Sequence, residues 1–358
     1  MKTHSATSRR TFLKTTFLGG LASAAAARFP TLSSAANAAS PATPSSRVAL
    51  TTGGDRADIA FRALKACDKQ IIRAIGNRRI IVKPNNVSID KQLSATHAET
   101  LEGILEFLKS IGKLENVVIA ESAATGPTMD GFENYRYPRL ASKYPVKLVD
   151  LDQEAVDVLH VFDEKDFRPH AIRMSRLLLD PNNFIISAAR MKTHDRVLAT
   201  LSLKNIIVGA PVKDAGFSWG KGGKPGAKTD KPILHGSGIR GINFNLFALA
   251  QRFHPHLALI DGFEGMEGNG PVSGTAVDHR VCVVSPDWLA ADRVAVELMG
   301  IDFAKVGYLN YCAQAGLGEA DLQKIQVVGE PIAKHVKHYR LHDKVDQQLI
   351  WMTPPKEA

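Results

Sequence analysis

The chain has 358 residues, 44% of them hydrophobic and 23% charged, and a formal net charge of +9. Lys2, Arg9, Arg10, Lys14 and Arg28 supply five of those charges within the first 38 residues, which hold no acid. The remaining chain is therefore only mildly cationic, about +4, a balance that suits small anionic ligands and argues against nucleic acid as a partner.

The first residues read as an address. Ser8-Arg9-Arg10-Thr11-Phe12-Leu13-Lys14 carries a twin arginine, and a weakly apolar run from Thr15 to Ala27 follows. Ala36-Asn37-Ala38 then supplies small residues at the spacing of a cleavage site. Residues 1–38 are expected to be a twin-arginine export signal, read by the twin-arginine translocation machinery and delivering a periplasmic protein. The run is too short and small-sided for a membrane span, and no stable span is expected after cleavage. Residues 39–46 are a linker by composition.

The folded part is expected over 47–329. Arg47–Leu50 is a first strand, and Gly53-Gly54 turn it into a helix with Ile59, Ala63, Leu64, Cys67 and Ile71 near one face. A strand at 79–82 ends in Lys83-Pro84-Asn85-Asn86. Thr96 and Glu99 have capping-box spacing before a helix with Leu101, Ile104, Leu105, Leu108 and Ile111 on one face. Strands at 117–120 and 146–149 follow, the first running into Glu121-Ser122. Residues 157–175 alternate twice between apolar and polar around Arg168-Pro169, which predicts an antiparallel pair. Further strands fall at 184–187, 257–260, 279–284 and 325–328. Alternating strands and helices at this pitch predict an α/β fold, a mainly parallel sheet with flanking helices and that antiparallel pair appended. Cys67 and Cys282 are expected to be buried thiols, and the three cysteines are too far apart for zinc or iron–sulfur ligation.

Three stretches carry chemistry. Beyond the strand at 184–187 come Lys192 and His194, then Lys204 and Asn205. Lysines hold anions, and histidine moves protons near neutral pH. From Lys213 to Gly238 a long loop rich in glycine and lysine predicts either a lid that clamps an anion or a mobile solvated insert, with His235 near its end. The third stretch opens at Asp261, where an apolar run stops and Gly262, Gly265, Gly268, Gly270 and Gly274 alternate with Glu264, Glu267 and Asn269. A glycine-rich loop with oxygen-bearing side chains at the end of a strand is the expected form of a ligand or hard-cation site.

Farther on, Ser285-Pro286 has the pattern of a helix cap, and Asp292 follows as a partner for a site lysine. Residues 330–358 are a basic tail in which His335, His338 and His342 would share one face of a surface helix.

Taken together, Lys-Pro-Asn (83–85), Glu-Ser (121–122), Met-Lys-Thr-His (191–194), Ser-Leu-Lys-Asn (202–205), His235, Asp-Gly-Phe-Glu-Gly-Met-Glu-Gly-Asn-Gly-Pro (261–271) and Ser-Pro-Asp-x4-Asp (285–292) resemble the bacterial and archaeal family called domain of unknown function 362. The resemblance spans about 47–329 and implies an α/β domain in which these residues cluster, without implying a reaction. Many relatives carry ferredoxin-type cysteine motifs; this chain has no iron–sulfur motif.

The leading expectation is an exported enzyme on a small anionic metabolite, with a divalent metal as a candidate aid. Lys192 and Lys204 would hold the anion and His194 would act as general acid or base. Asp261, Glu264 and Glu267 would bind the cation, or Glu264 would take a proton. Lys83, Asn85, Glu121, Asn205, His235, Asn269 and Asp292 complete the expected ligand-binding set. The alternatives are a periplasmic ligand- or metal-binding protein without turnover, and a redox-associated subunit.

Overall fold

The computed structural model describes residues 45–219 and 222–354. The export signal, and all of the linker but its last two residues, lie outside the described residues. Eleven strands are described: β1 (Ser46–Thr52), β2 (Arg79–Lys83), β3 (Val118–Glu121), β4 (Lys147–Asp150), β5 (Val156–Asp163), β6 (Arg168–Ser175), β7 (Asn183–His194), β8 (Leu198–Thr200), β9 (Leu257–Glu267), β10 (Thr275–Ser285) and β11 (Ile325–Gly329). The main sheet has the order β11-β1-β10-β9-β7-β2-β3-β4. Neighbours run parallel except at β10, which is antiparallel to both β1 and β9. β8 folds back on the end of β7, and β5 with β6 forms the separate antiparallel pair that the alternation in 157–175 predicts.

The apolar runs are continuous because both faces of the sheet are covered. Along β7, Phe184, Ile186 and Ala188 point into one core, with residues of the helices Arg56–Lys65, Asp68–Ile75 and Ala98–Ser110. Ile185, Ala189 and Met191 point into the other, with residues of the helices Ser202–Ile207, Ile239–Ala250 and Trp288–Leu298. Each large aliphatic side chain buried this way contributes roughly 1.5–3 kcal/mol. Cys67, Cys282 and Cys312 are all buried free thiols. No helix among the described residues is long and apolar enough to cross a membrane.

Local signals are reassigned in four places. His97, not Thr96, caps the Ala98–Ser110 helix, accepting from the Glu99 amide. Thr96 instead ties the loop after β2 to β7, accepting from the Asn85 amide at 2.8 Å and donating to the Ala188 carbonyl at 2.6 Å. The helix expected from Ser285-Pro286 starts later, with Asp287 accepting from the Leu289 and Ala290 amides. The tail forms no helix over its three histidines. Tyr339 and Gln348 are buried, at 5% and 1% exposure, so 330–348 packs on the domain instead of standing off it.

The fourth reassignment concerns the glycine-rich stretch. β9 does not stop at Asp261; it continues to Glu267, paired with β10 from Thr275. Its glycines admit neighbours instead of opening a loop. A Cβ on Gly265 would lie 1.9 Å from the Tyr339 hydroxyl, so the buried tail tyrosine needs a residue without one.

Candidate active site

The crevice lies where the parallel strands end. Lys83 closes β2, Glu121 closes β3 and His194 closes β7, three strands adjacent in the sheet. This is the place where open α/β sheets bind ligands. The Ser202–Ile207 helix adds Lys204 and Asn205, and the short Lys231–His235 helix adds both of its ends. These residues, with Asn85, Asn86, Arg196, Thr200 and Trp219, line a cavity of about 400 Å³.

One wall is a closed polar network. Lys83 Nζ donates to Glu121 at 2.7 Å, to the Pro84 carbonyl at 2.7 Å and to Asn205 Oδ1 at 3.0 Å. Glu121 also accepts from the Asn86 and Ser122 amides, both at 2.8 Å. Both charged groups are 1% exposed. Burial lowers the lysine from its ordinary value and the Glu121 carboxylate opposes that shift. Gly209 lets this lysine pass: a Cβ there would meet Lys83 Cε at 2.3 Å and the Asn205 carbonyl at 2.5 Å. Gly209→Ala is expected to lower stability by about 1–3 kcal/mol through this overpacking. Chemical denaturation followed by tryptophan fluorescence reads that loss; an unchanged midpoint would show that the lysine has room to move.

The opposite wall is a cluster of nitrogens. His194 Nδ1 accepts from the Arg196 amide at 3.0 Å and lies 3.1 Å from Asp195 Oδ1. Its Nε2 faces Lys204 Nζ at 2.9 Å and His235 Nε2 at 3.2 Å. Burial pushes Lys204 down to about 7, with Asp195 opposing and Lys83 adding to the shift. His194 is driven well below its ordinary value by burial and then by Lys204, and His235 falls to about 4 for the same two reasons. Lys231 also falls to about 7, chiefly by burial, and its Nζ donates to the Pro211 carbonyl at 2.7 Å.

Among the described residues, neither Lys204 nor Lys231 has a carboxylate within 4.0 Å. Three polar atoms of lining residues lack hydrogen-bond partners within the protein and are shielded from solvent: Asn85 Oδ1, Asn86 Nδ2 and Thr200 Oγ1. Buried polar atoms are paired as a rule, which makes these three candidates to meet a ligand.

Seven of the expected residues therefore come together: Lys83, Asn85, Glu121, His194, Lys204, Asn205 and His235. Six others are placed elsewhere. Lys192 is fully buried behind the wall, with Nζ on the Ser94 carbonyl at 2.8 Å. Asp261 accepts from Thr100 at 2.7 Å beside Arg56 and Arg190, and Glu264 pairs with Arg190 at 2.9 Å. Glu267 accepts from the Arg340 amide, and Asn269 exchanges hydrogen bonds with Asp343. These β9 acids do not converge on one point: Arg190 stands between Asp261 and Glu264, and Glu267 faces Arg340. Asp292 lies under the site and accepts from the Ser202 and Leu203 amides at 2.8 and 3.1 Å, holding the helix that carries Lys204.

The long loop likewise differs from a free clamp. Lys213 is buried on Asp152 and Lys231 is built into the cavity, while Lys224 and Lys228 are exposed.

Asn86, Asp195, Arg196 and Thr200 were not legible as site residues. The sequence signal was adjacency: Asp195 and Arg196 follow His194 in the turn to β8. Among the described residues, His194, Asp195 and His235 form the one group of imidazole and carboxylate atoms close enough, within 4.8 Å, to suit a cation. Both nitrogens of His194 already have protein partners, so the cluster reads first as proton-handling.

The fold and crevice define an α/β protein with a cation-rich, partly apolar cavity at the carboxyl end of its sheet. The chain belongs to the family described as "Domain of unknown function (DUF362)", whose model matches residues 80–297. It is also similar to a thylakoid-associated protein of Synechocystis sp., with 22% identity over 242 residues, covering 67% of this chain and 68% of that protein. No solved structure matches the chain.

Proposed function

We propose that this chain is an exported enzyme that takes a small anionic molecule into the cavity at the ends of β2, β3 and β7. Export rests on the twin-arginine pattern of residues 8–38, which would place the protein in the periplasm. The observation that carries the ligand class is the cation excess. Lys204 and Lys231 line a cavity whose carboxylate, Glu121, is already consumed by Lys83. Arg196 at the rim adds a third charge.

In this reading Lys204, Lys231 and Arg196 hold the anion, and Asn86 Nδ2 and Thr200 Oγ1 hydrogen-bond its polar atoms. His194 presents its Nε2–H to a substrate oxygen, as a neutral imidazole does in acid–base sites. A binding protein without turnover would share the anion contacts and would not need His194. Turnover lost with affinity kept in His194→Ala would separate the two.

Calorimetric titration with phosphate, oxalate and 2-oxo acids tests the ligand class. Lys204→Met and Lys231→Met are each expected to weaken binding by about 2 kcal/mol, roughly thirty-fold. Binding that survives both changes, or no binding of any of these anions, would sink the reading.

A further inference from the structure

The geometry of the nitrogen cluster assigns Lys204 a covalent role, and we propose that it condenses as an imine with the carbonyl carbon of an oxo-bearing anion, a 2-oxo acid or a close analogue. The proposal rests on the anion site above and narrows its substrate class.

The argument starts from the Arg196 amide. By donating to His194 Nδ1 at 3.0 Å it favours a ring proton on Nε2. Lys204 Nζ lies 2.9 Å from that Nε2 with no carboxylate within 4.0 Å and is lowered to about 7, so it holds an anion while protonated and becomes a nucleophile once neutral. The lysine is 4% exposed and projects from a helix whose amino end is pinned by Asp292, so its reach into the cavity is fixed. It faces Lys83 and Lys192 as repelling charges, Asp195 as an opposing one, and the two imidazoles. A desolvated amine among other cations is the form in which lysine acts as a nucleophile. Lys231 and Arg196 remain to hold the substrate's carboxylate while Lys204 reacts.

The chemistry balances without an oxidant or a metal. The Lys204 nitrogen attacks the carbonyl carbon, and the π pair moves to oxygen, where His194 Nε2–H stabilises the developing charge. One nitrogen proton passes to that oxygen by way of His235 Nε2, which faces the same spot, 3.2 Å from His194 Nε2. The second nitrogen proton and the hydroxyl leave as water, and the carbon–nitrogen double bond remains.

The test is reductive trapping on the intact protein, purified folded. Pyruvate, glyoxylate and 2-oxoglutarate are each added with cyanoborohydride, and peptide mass spectrometry locates the reduced adduct. The expected result is about one adduct per chain, on Lys204, with labelling that rises through about pH 7. Exposed Lys224 and Lys228 should label more than tenfold less at neutral pH. His194→Gln is expected to slow trapping of Lys204.

Labelling spread over surface lysines, or none on Lys204 with any of the three, would overturn the imine. If those anions still bind and Lys204→Met weakens them, the anion site stands without the covalent step. If Lys204 is trapped while phosphate and oxalate fail to bind, the anion reading falls and the reactive amine stays.

Discussion

Glu121→Ala is expected to cost about 3–5 kcal/mol of unfolding free energy, because it leaves a buried charge without its partner. The carboxylate is 1% exposed and takes hydrogen bonds from Lys83 and from the Asn86 and Ser122 amides, all between 2.7 and 2.8 Å. Alanine satisfies none of them, and at 1% exposure water has little access to do so. The cost is that of stranding groups, not the worth of the pair. Lys83→Met/Glu121→Leu, which removes both charges, should therefore recover most of the loss. Urea denaturation of the two single variants and the double variant reads this directly. A loss under about 1 kcal/mol in Glu121→Ala would mean that solvent reaches the pair.

Asp292→Ala is expected to lose about 2–4 kcal/mol, since the Ser202 and Leu203 amides are buried and have no other acceptor. Asp292→Asn gives the sharper result. Burial pushes this carboxyl up to about 7, while the amides and the Ser202 hydroxyl pull it down. A folded value above the unfolded one means that the native state holds the extra proton between about pH 4 and 7. The contribution of Asp292 to stability then falls as pH rises through that window and stays low above it. Asparagine does not titrate, so its stability relative to the parent protein should climb from pH 4 to pH 7. Denaturation at pH 4, 5.5 and 7 checks the slope; parallel curves would place the carboxyl near its ordinary value. The same variant should leave Lys204 less firmly placed, which reductive trapping would register as slower labelling.

The contrast between the two chemical stretches shows what a sequence can carry. Lys83, Glu121 and His194 were legible because each ends a strand, and strand ends in a parallel sheet share one edge. Lys204, Asn205 and His235 were legible as ligand-type residues close behind. The acids of β9 had the same look and a different fate. Arg56, Arg190 and Arg340 lie far from them along the chain, and nothing in the order of residues announces that such cations arrive beside them.

Glycine misled for a related reason. Gly265 was read as loop freedom, yet it answers to the bulk of Tyr339, seventy-odd residues later. Lys192 was placed beside His194 by its spacing, and the strand sends it to the Ser94 carbonyl instead. Local patterns found the sheet and its rim; side chains meeting across the fold decided which polar residues are free to act.

The packed tail has a consequence for the order in which the site is finished. Gln348 accepts from the Leu198 amide at 2.7 Å, and Leu198 lies in β8, whose partner in β7 is His194 itself. Tyr339 fills the space over Gly265, and Arg340 exchanges backbone and side-chain hydrogen bonds with the β9–β10 turn. A ribosome makes these residues after every group that lines the cavity. While they are still in its tunnel, the strands can pair and the helices can cover them, but β8 lacks its Gln348 contact and the β9–β10 hairpin lacks the cover of the tail. The surroundings of His194 are therefore completed last, when the tail lies down.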